Sequence, residues 1–196
     1  MNGENPIVLV DMDGVLADFD GATQAHLESL EIPIRERNNF YYRDDYPEAN
    51  YTDVINKLHA SQNFFRNLPP VDGAIEGWDK IKDLGYEPRI CSSPLRTNEW
   101  CKEEKLEWIK EHLGPEAAKS AIIDIRKERY DGIALIDDRP AVKTSEETTW
   151  RHVVFDAPYN KDSTSTIRLN GWHDPGLPAV LRYCMELGKS RLNTDY

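Results

Sequence analysis

Cysteine is scarce. Three residues, Cys91, Cys101 and Cys184, occur in a chain of 196. An odd, sparse set without metal-type pairing argues against a disulfide framework and suits a reducing compartment. Long apolar runs are missing too, and none approaches the roughly 20 residues needed to span a bilayer. The start, Met1-Asn2-Gly3-Glu4-Asn5-Pro6, has no basic segment leading into an apolar stretch, so no secretory signal is visible. Positive charge is in deficit: 24 Lys and Arg against 35 Asp and Glu leave a formal net charge of −11. Such a surface repels a nucleic-acid backbone and disfavours a long polyanionic partner. A small phosphate monoester is still admitted, because a bound metal and one or two local cations dominate the field in a cleft. No internal repeat or low-complexity tract occurs. The expectation is a soluble, cytoplasmic protein with no membrane partner. Its 39% hydrophobic and 10% aromatic residues can supply one compact core with a small insertion.

Short apolar, partly β-branched runs at residues 7–10, 88–91, 133–136 and 153–155 predict strands, and 121–125 is a fifth candidate. Between them lie helical patterns. Ile75, Trp78, Ile81 and Leu84 recur every three residues, with Asp72 as expected N-cap and Gly85 as the stop. Leu106, Ile109 and Leu113 form another stripe, opened by Thr97 with Glu99 in its first turn and closed by Gly114-Pro115. Residues 178–188 read as a closing helix and 190–196 as a loose tail. Alternating strands and helices predict an α/β fold with a parallel sheet flanked by helices. Residues 18–71 break the rhythm, being rich in aromatics and charge without a convincing strand. They are expected to form a small helical cap inserted after the first strand, leaving 1–17 and 72–196 as the core.

Two acidic motifs carry the chemistry. Asp11-Met12-Asp13-Gly14 follows the first strand, and Asp137-Asp138-Arg139-Pro140 follows the strand at 133–136. Carboxylates at the ends of parallel strands meet in the crevice where open α/β sheets bind ligands. Crowded together they repel unless a cation sits among them, and hard oxygen ligands suit Mg²⁺. Asp11 and Asp13, two apart, can face one cleft. One carboxylate can attack phosphorus while the other moves the proton. Of the adjacent Asp137 and Asp138, one could ligate the ion directly while the other orients a water or a basic residue. Ser92-Ser93-Pro94 at a strand end can hold a phosphoryl oxygen. Lys127, with Arg126 and Arg129 as rivals, could neutralise the charge that grows on the phosphate.

With these elements in order, the chain resembles the haloacid-dehalogenase-like (HAD) phosphatases, and within them the 5′(3′)-deoxyribonucleotidase family. The likeness extends through Asn63-Phe64-Phe65, Ile90 to Pro94, Lys127, Leu135 to Pro140, Trp150, His152 to Phe155, Asn160 and Trp172. It implies a Rossmann-like core and a Mg²⁺-dependent phosphatase acting on nucleoside 5′(3′)-monophosphates through an aspartyl-phosphate. It implies Asp11 as nucleophile and Asp13 as general acid/base. Mg²⁺ would be held by Asp11, the Asp13 carbonyl and Asp138, with Asp137 in support. Ser92, Ser93 and Lys127 would surround the phosphate, and Phe19, Phe40, Tyr41 and Tyr42 would meet the base and sugar. The alternative is a phosphatase of the same scaffold acting on another small monoester or a polynucleotide 3′-phosphate. Animal members carry Thr in place of Ser92, and Trp at positions aligning with Tyr41 and His59. The partner expected is a small nucleotide; oligomeric state stays open, a homodimer included.

Overall fold

The computed structural model describes residues 5–192. Six parallel strands lie in the order β3-β2-β1-β4-β5-β6: β1 Ile7–Val10, β2 Glu87–Ser92, β3 Ile122–Ile123, β4 Ala134–Asp137, β5 Arg151–Phe155 and β6 Arg168–Leu169. The central strands are apolar almost throughout, as a sheet covered on both faces requires. Val8, Leu9, Val10, Ala134, Leu135 and Ile136 are all fully buried. Each of the Val, Leu and Ile side chains among them contributes about 1.5–3 kcal/mol of transfer free energy. The sequence order reverses between β1 and β4. That makes their C-terminal ends the switch point at which such sheets open a crevice.

The flanking helices include α4 Ala74–Asp83, α5 Cys101–Leu113, α6 Pro115–Ser120 and α7 Leu177–Leu192. Three expectations need correction. Asp72 does not cap α4; the cap position is Gly73, held at φ +71°, and Asp72 instead faces His173 at 3.0 Å. Thr97 and Glu99 precede α5 rather than open it, since Trp100 occupies its cap position. The buried face of α5 is Cys101, Glu104, Lys105, Trp108 and Ile109 rather than a Leu106–Ile109–Leu113 stripe. Two charged residues on that inner face hid it from a hydrophobicity pattern. The strand expected at 121–125 shrinks to two residues, while those expected at 88–91 and 153–155 each gain residues. The helix expected at 178–188 continues to Leu192, taking in the first part of the expected tail; residues 193–196 lie outside the described residues.

Between β1 and α4 the chain forms α1 Phe19–Ser29, α2 Tyr42–Asp45 and α3 Ala49–His59, with no strand among them. It leaves and returns through a narrow neck. Asp18 N–H donates to the Pro69 carbonyl at 2.7 Å and Val71 N–H to that of Leu16 at 2.8 Å. Asp18 also caps α1, its carboxylate accepting from Gly21 N–H at 2.8 Å. Leu27, Tyr42, Tyr46 and Ile55 give these helices an apolar cluster of their own. Further ties run from the core to the returning limb. Glu104 accepts from the backbone N–H groups of Asn63 and Phe65, and the Asn98 amide donates to the carbonyls of His59 and Ser61.

Candidate active site

A cavity of about 370 Å³ opens over the C-terminal ends of β1, β2 and β4. Its floor is formed by Asp11, Asp13, Gly14, Ser92, Ser93 and Asp138; its walls include Phe19, Phe40, Tyr41, Tyr42, His59 and Phe65. The turn after β1 sets the acidic pair. The Met12 carbonyl accepts from the N–H groups of Leu16 and Ala17, each at 2.8 Å, and Gly14 takes φ +74°. A Cβ on Gly14 would collide with the Asp138 carboxylate, so glycine answers here to space as well as to φ.

Asp11 is 7% exposed. One of its oxygens accepts from Met12 N–H at 2.8 Å, and the other lies 2.9 Å from Lys127 Nζ. Burial pushes its pKa up, but Lys127 and then Lys105 outweigh burial and hold it below the ordinary value. Asp13 differs. Burial raises its pKa, and Lys105 opposes that shift only in part. The two carboxyls therefore diverge in proton affinity, the pattern that separates a nucleophile from a proton carrier.

Lys105 was not found from sequence. It has no solvent exposure, and its ammonium lies 2.7 Å from Asp13 Oδ2 while donating to Ser92 Oγ at 2.8 Å and to the Ser93 carbonyl at 2.9 Å. Because Ser92 Oγ accepts from Lys105, the hydroxyl proton of Ser92 is left to donate elsewhere. Lys127 contacts Asp11 and also Asp137 Oδ2, the latter at 2.6 Å, and is not itself a wall of the cavity. Burial would depress its pKa, yet the Asp11 and Asp137 charges raise it above the usual lysine value. Arg126, one of the rivals, points to Asp124.

Asp11, Asp137 and Asp138 each bring one carboxylate oxygen into a buried group spanning no more than 4.8 Å. Asp137 is already committed, accepting from Lys127 and, through its other oxygen, from Arg139 N–H at 2.9 Å. Asp138 is not neutralised in this way. Burial, then the Asp137 and Asp11 charges, lift its pKa well above the ordinary value. Among the described residues its one side-chain partner is the hydroxyl of Tyr159, and Asp13 Oδ1 is also buried with no protein partner. An all-oxygen set with surplus negative charge and unmet acceptors fits a hard divalent cation.

Phe19, Phe40, Tyr41 and Tyr42 all line the cavity. Tyr41 is half exposed, whereas Tyr42 is buried in the apolar cluster shared by α1, α2 and α3. Arg37, only 4% exposed, stacks 3.6 Å from the Tyr42 ring centroid and 5.0 Å from that of Tyr159. Arg139 lies over Phe40 at 4.8 Å, bridging the two walls. Three others that carried the resemblance brace the surrounding structure. Asn160 donates to the carbonyls of Asp138 and Phe155, and the Trp172 and Trp150 indoles donate to the Val15 and Lys127 carbonyls.

The sequence model of one family, described as 5′ nucleotidase, deoxy (Pyrimidine), cytosolic type C protein, matches residues 5–180. A Bordetella bronchiseptica protein, named provisionally as a 5′(3′)-deoxyribonucleotidase, is 40% identical over 170 residues, covering 84% of this chain and 90% of its own. The human cytosolic-type 5′(3′)-deoxyribonucleotidase is 34% identical over 179 residues, covering 85% and 89%. Among solved structures, a HAD family hydrolase from Deinococcus radiodurans with bound phosphate and sodium aligns with TM-score 0.52 at 14% identity, covering 96% and 98%. A HAD-type hydrolase of Bacillus subtilis bound to magnesium aligns with TM-score 0.54 at 10% identity, covering 91% and 99%. At those identities the structural likeness speaks for the fold alone.

Proposed function

Because the chain belongs to the 5′ nucleotidase, deoxy (Pyrimidine), cytosolic type C protein family, we propose that it is a Mg²⁺-dependent phosphatase of deoxynucleoside 5′(3′)-monophosphates. One observation carries this reading. A low-pKa and a high-pKa aspartate meet two buried lysines and a serine hydroxyl on the floor of an aromatic cavity. Asp11, kept ionised by Lys127 and Lys105, attacks phosphorus to form an aspartyl-phosphate as the nucleoside oxygen departs. Asp13 gives that oxygen a proton, then takes one from the water that hydrolyses the acyl-phosphate, returning Asp11 and releasing phosphate.

Ser92 and Lys127 grip the phosphoryl oxygens, with Ser93 beside them, so charge developing in the transition state meets fixed donors. Asp11, the Asp13 main-chain carbonyl and Asp138 would hold Mg²⁺, while Asp137 keeps Lys127 in place. The ion would supply positive charge to neutralise the phosphoryl group. Residues 18–71 serve as the cap, and Phe19, Phe40, Tyr41 and Tyr42 supply rings for the base; stacking contributes about 1–3 kcal/mol per base. No helix among the described residues is long and apolar enough to cross a membrane. The human cytosolic-type relative supports a cytoplasmic setting.

Purified protein with Mg²⁺ should release phosphate from dUMP or dTMP. A chelator should abolish the release, and Asp11→Asn should cut it at least about 10³-fold. If every nucleoside monophosphate survives with Mg²⁺ present, the substrate assignment fails.

A further inference from the structure

Glu104 and Lys105 are consecutive on the inner face of α5, and both are buried. Lys105 reaches the acids, whereas Glu104 reaches the limb that returns from α3. Its Oε1 accepts from Asn63 N–H and its Oε2 from Phe65 N–H, the latter at 3.1 Å. A buried carboxylate is costly unless its oxygens are met. Here one short stretch of backbone meets both. The stretch bends to do so, with Asn63 at φ +66°, a region that asparagine enters more readily than most side chains. The same turn brings the fully buried Phe65 ring to Lys105, whose Nζ lies 5.1 Å from the ring centroid. A cation is attracted to a ring face, most strongly where water is excluded. The three protons of this ammonium already go to Asp13 Oδ2, Ser92 Oγ and the Ser93 carbonyl, and lysine has no fourth to give. The ring closes the flank.

We propose that Glu104 is a positioning residue for the phosphatase reaction. It gathers residues 63–65 so that Phe65 seats against Lys105, and the seated ammonium stays on Asp13 and Ser92. The inference rests on the nucleotidase reading and extends its machinery by one residue. Glutamate is required by its chemistry. Each oxygen takes a different N–H, whereas glutamine would turn its own NH₂ toward one of them. Slack in the turn would let the ring withdraw, admit water beside the ammonium and loosen its hold on Asp13 and Ser92. Substrate binding would change little. Charge stabilisation in the transition state would suffer most.

The test is a double-mutant cycle on dUMP hydrolysis with Mg²⁺. Glu104→Gln should lower kcat at least about tenfold, as loss of a hydrogen bond to a charged group does, with KM within about twofold. In a Lys105→Met background the same substitution should change kcat by less than about twofold, because the residue it acts through is gone. An undiminished fall in that background means that Glu104 only fastens the limb, and it overturns the proposal. Phe65→Leu leaves the Glu104 hydrogen bonds in place and removes the ring. It should lower kcat about fivefold, the size of one ring–cation contact, and this loss too should vanish beside Lys105→Met. Should Glu104→Gln not fold, Phe65→Leu decides by itself, and an unchanged kcat overturns the proposal. Amide hydrogen exchange gives a readout independent of turnover: the Asn63 and Phe65 N–H groups should exchange faster in Glu104→Gln, and equal protection overturns the fastening. An active wild type matched by Glu104→Gln in kcat overturns the role of Glu104 while leaving the nucleotidase intact. Failure of wild type to hydrolyse any nucleoside monophosphate overturns both.

Discussion

Lys105 Nζ lies 2.7 Å from Asp13 Oδ2, an ion pair reaching across 92 residues of sequence from the middle of α5 to the turn after β1. The same ammonium fixes the Ser92 hydroxyl. One buried cation therefore sets both the proposed proton carrier and a proposed phosphate ligand. Lys105→Met, which keeps length and loses charge, should lower kcat by about 10²–10³-fold. KM should change less, because charge stabilisation matters most in the transition state. Steady-state kinetics with a thermal-melt control for folding would check both.

Lys127 should govern the acid limb of activity. Burial alone would raise the Asp11 pKa; Lys127, then Lys105, reverse that and leave it lowered. Removing the Lys127 charge in Lys127→Met should raise the Asp11 pKa, so the ionised nucleophile is lost at higher pH. The acid limb of kcat/KM should move up by about 1–3 pH units, the usual effect of an adjacent opposite charge. A pH–rate profile of variant against wild type measures it.

Proton and cation should compete for Asp138. Without a cation its folded pKa stands well above the ordinary value, by burial first and then by the Asp137 and Asp11 charges. A raised carboxyl pKa means that ionisation destabilises the native state, increasingly as pH climbs from the ordinary value through the raised one. Mg²⁺ should relieve that cost. The rise in melting temperature on adding Mg²⁺ should thus be larger at about pH 8 than at about pH 5. Differential scanning calorimetry with and without chelator would test the trend, and an equal shift at both values would contradict it.

Tyr159→Phe should weaken the metal site without touching a proposed ligand. The Tyr159 hydroxyl donates to Asp138, and its ring meets Phe40 edge-on at 5.8 Å and Arg37 at 5.0 Å. Loss of a supporting hydrogen bond of this kind costs about 10–100-fold in metal affinity. The Mg²⁺ concentration for half-maximal activity should rise accordingly, with kcat at saturating Mg²⁺ largely retained.

Sequence disclosed the acid motifs because each combines an apolar strand with carboxylates at its end, a local signal. The sheet around β1 and β4 was legible for the same reason. Lys105 was not. It lies in Lys102-Glu103-Glu104-Lys105, which reads as a solvated charge run, and only packing turns its last two residues inward. Tyr159 stands 21 residues beyond Asp138 with no periodic or motif link to it. Strand β6 is too short at two residues to leave a pattern. The cap position of α4 was misread because Asp72 is a good capping residue by type, whereas tertiary contacts placed it against His173.

The neck between β1 and α4 bears on how such a chain can diversify. The two crossings lie a hydrogen bond apart, Asp18 to Pro69 and Val71 to Leu16, so the chain from α1 to α3 leaves and rejoins the core at neighbouring points. Closing that gap with a different stretch of chain would cost little loop entropy, since the cost grows only slowly with length. Exchange of this segment can thus alter what enters the cavity while the acids beneath keep their places. Such a transplant would have to reproduce the carbonyls for Asn98 and N–H groups for Glu104 on the returning limb, and also the apolar side chains of Phe64, Phe65 and Leu68 that enter the main core cluster. The proposed cap is thus joined to the sheet through a narrow main-chain neck and a short apolar seam, so the segment could be exchanged as a unit provided both are kept.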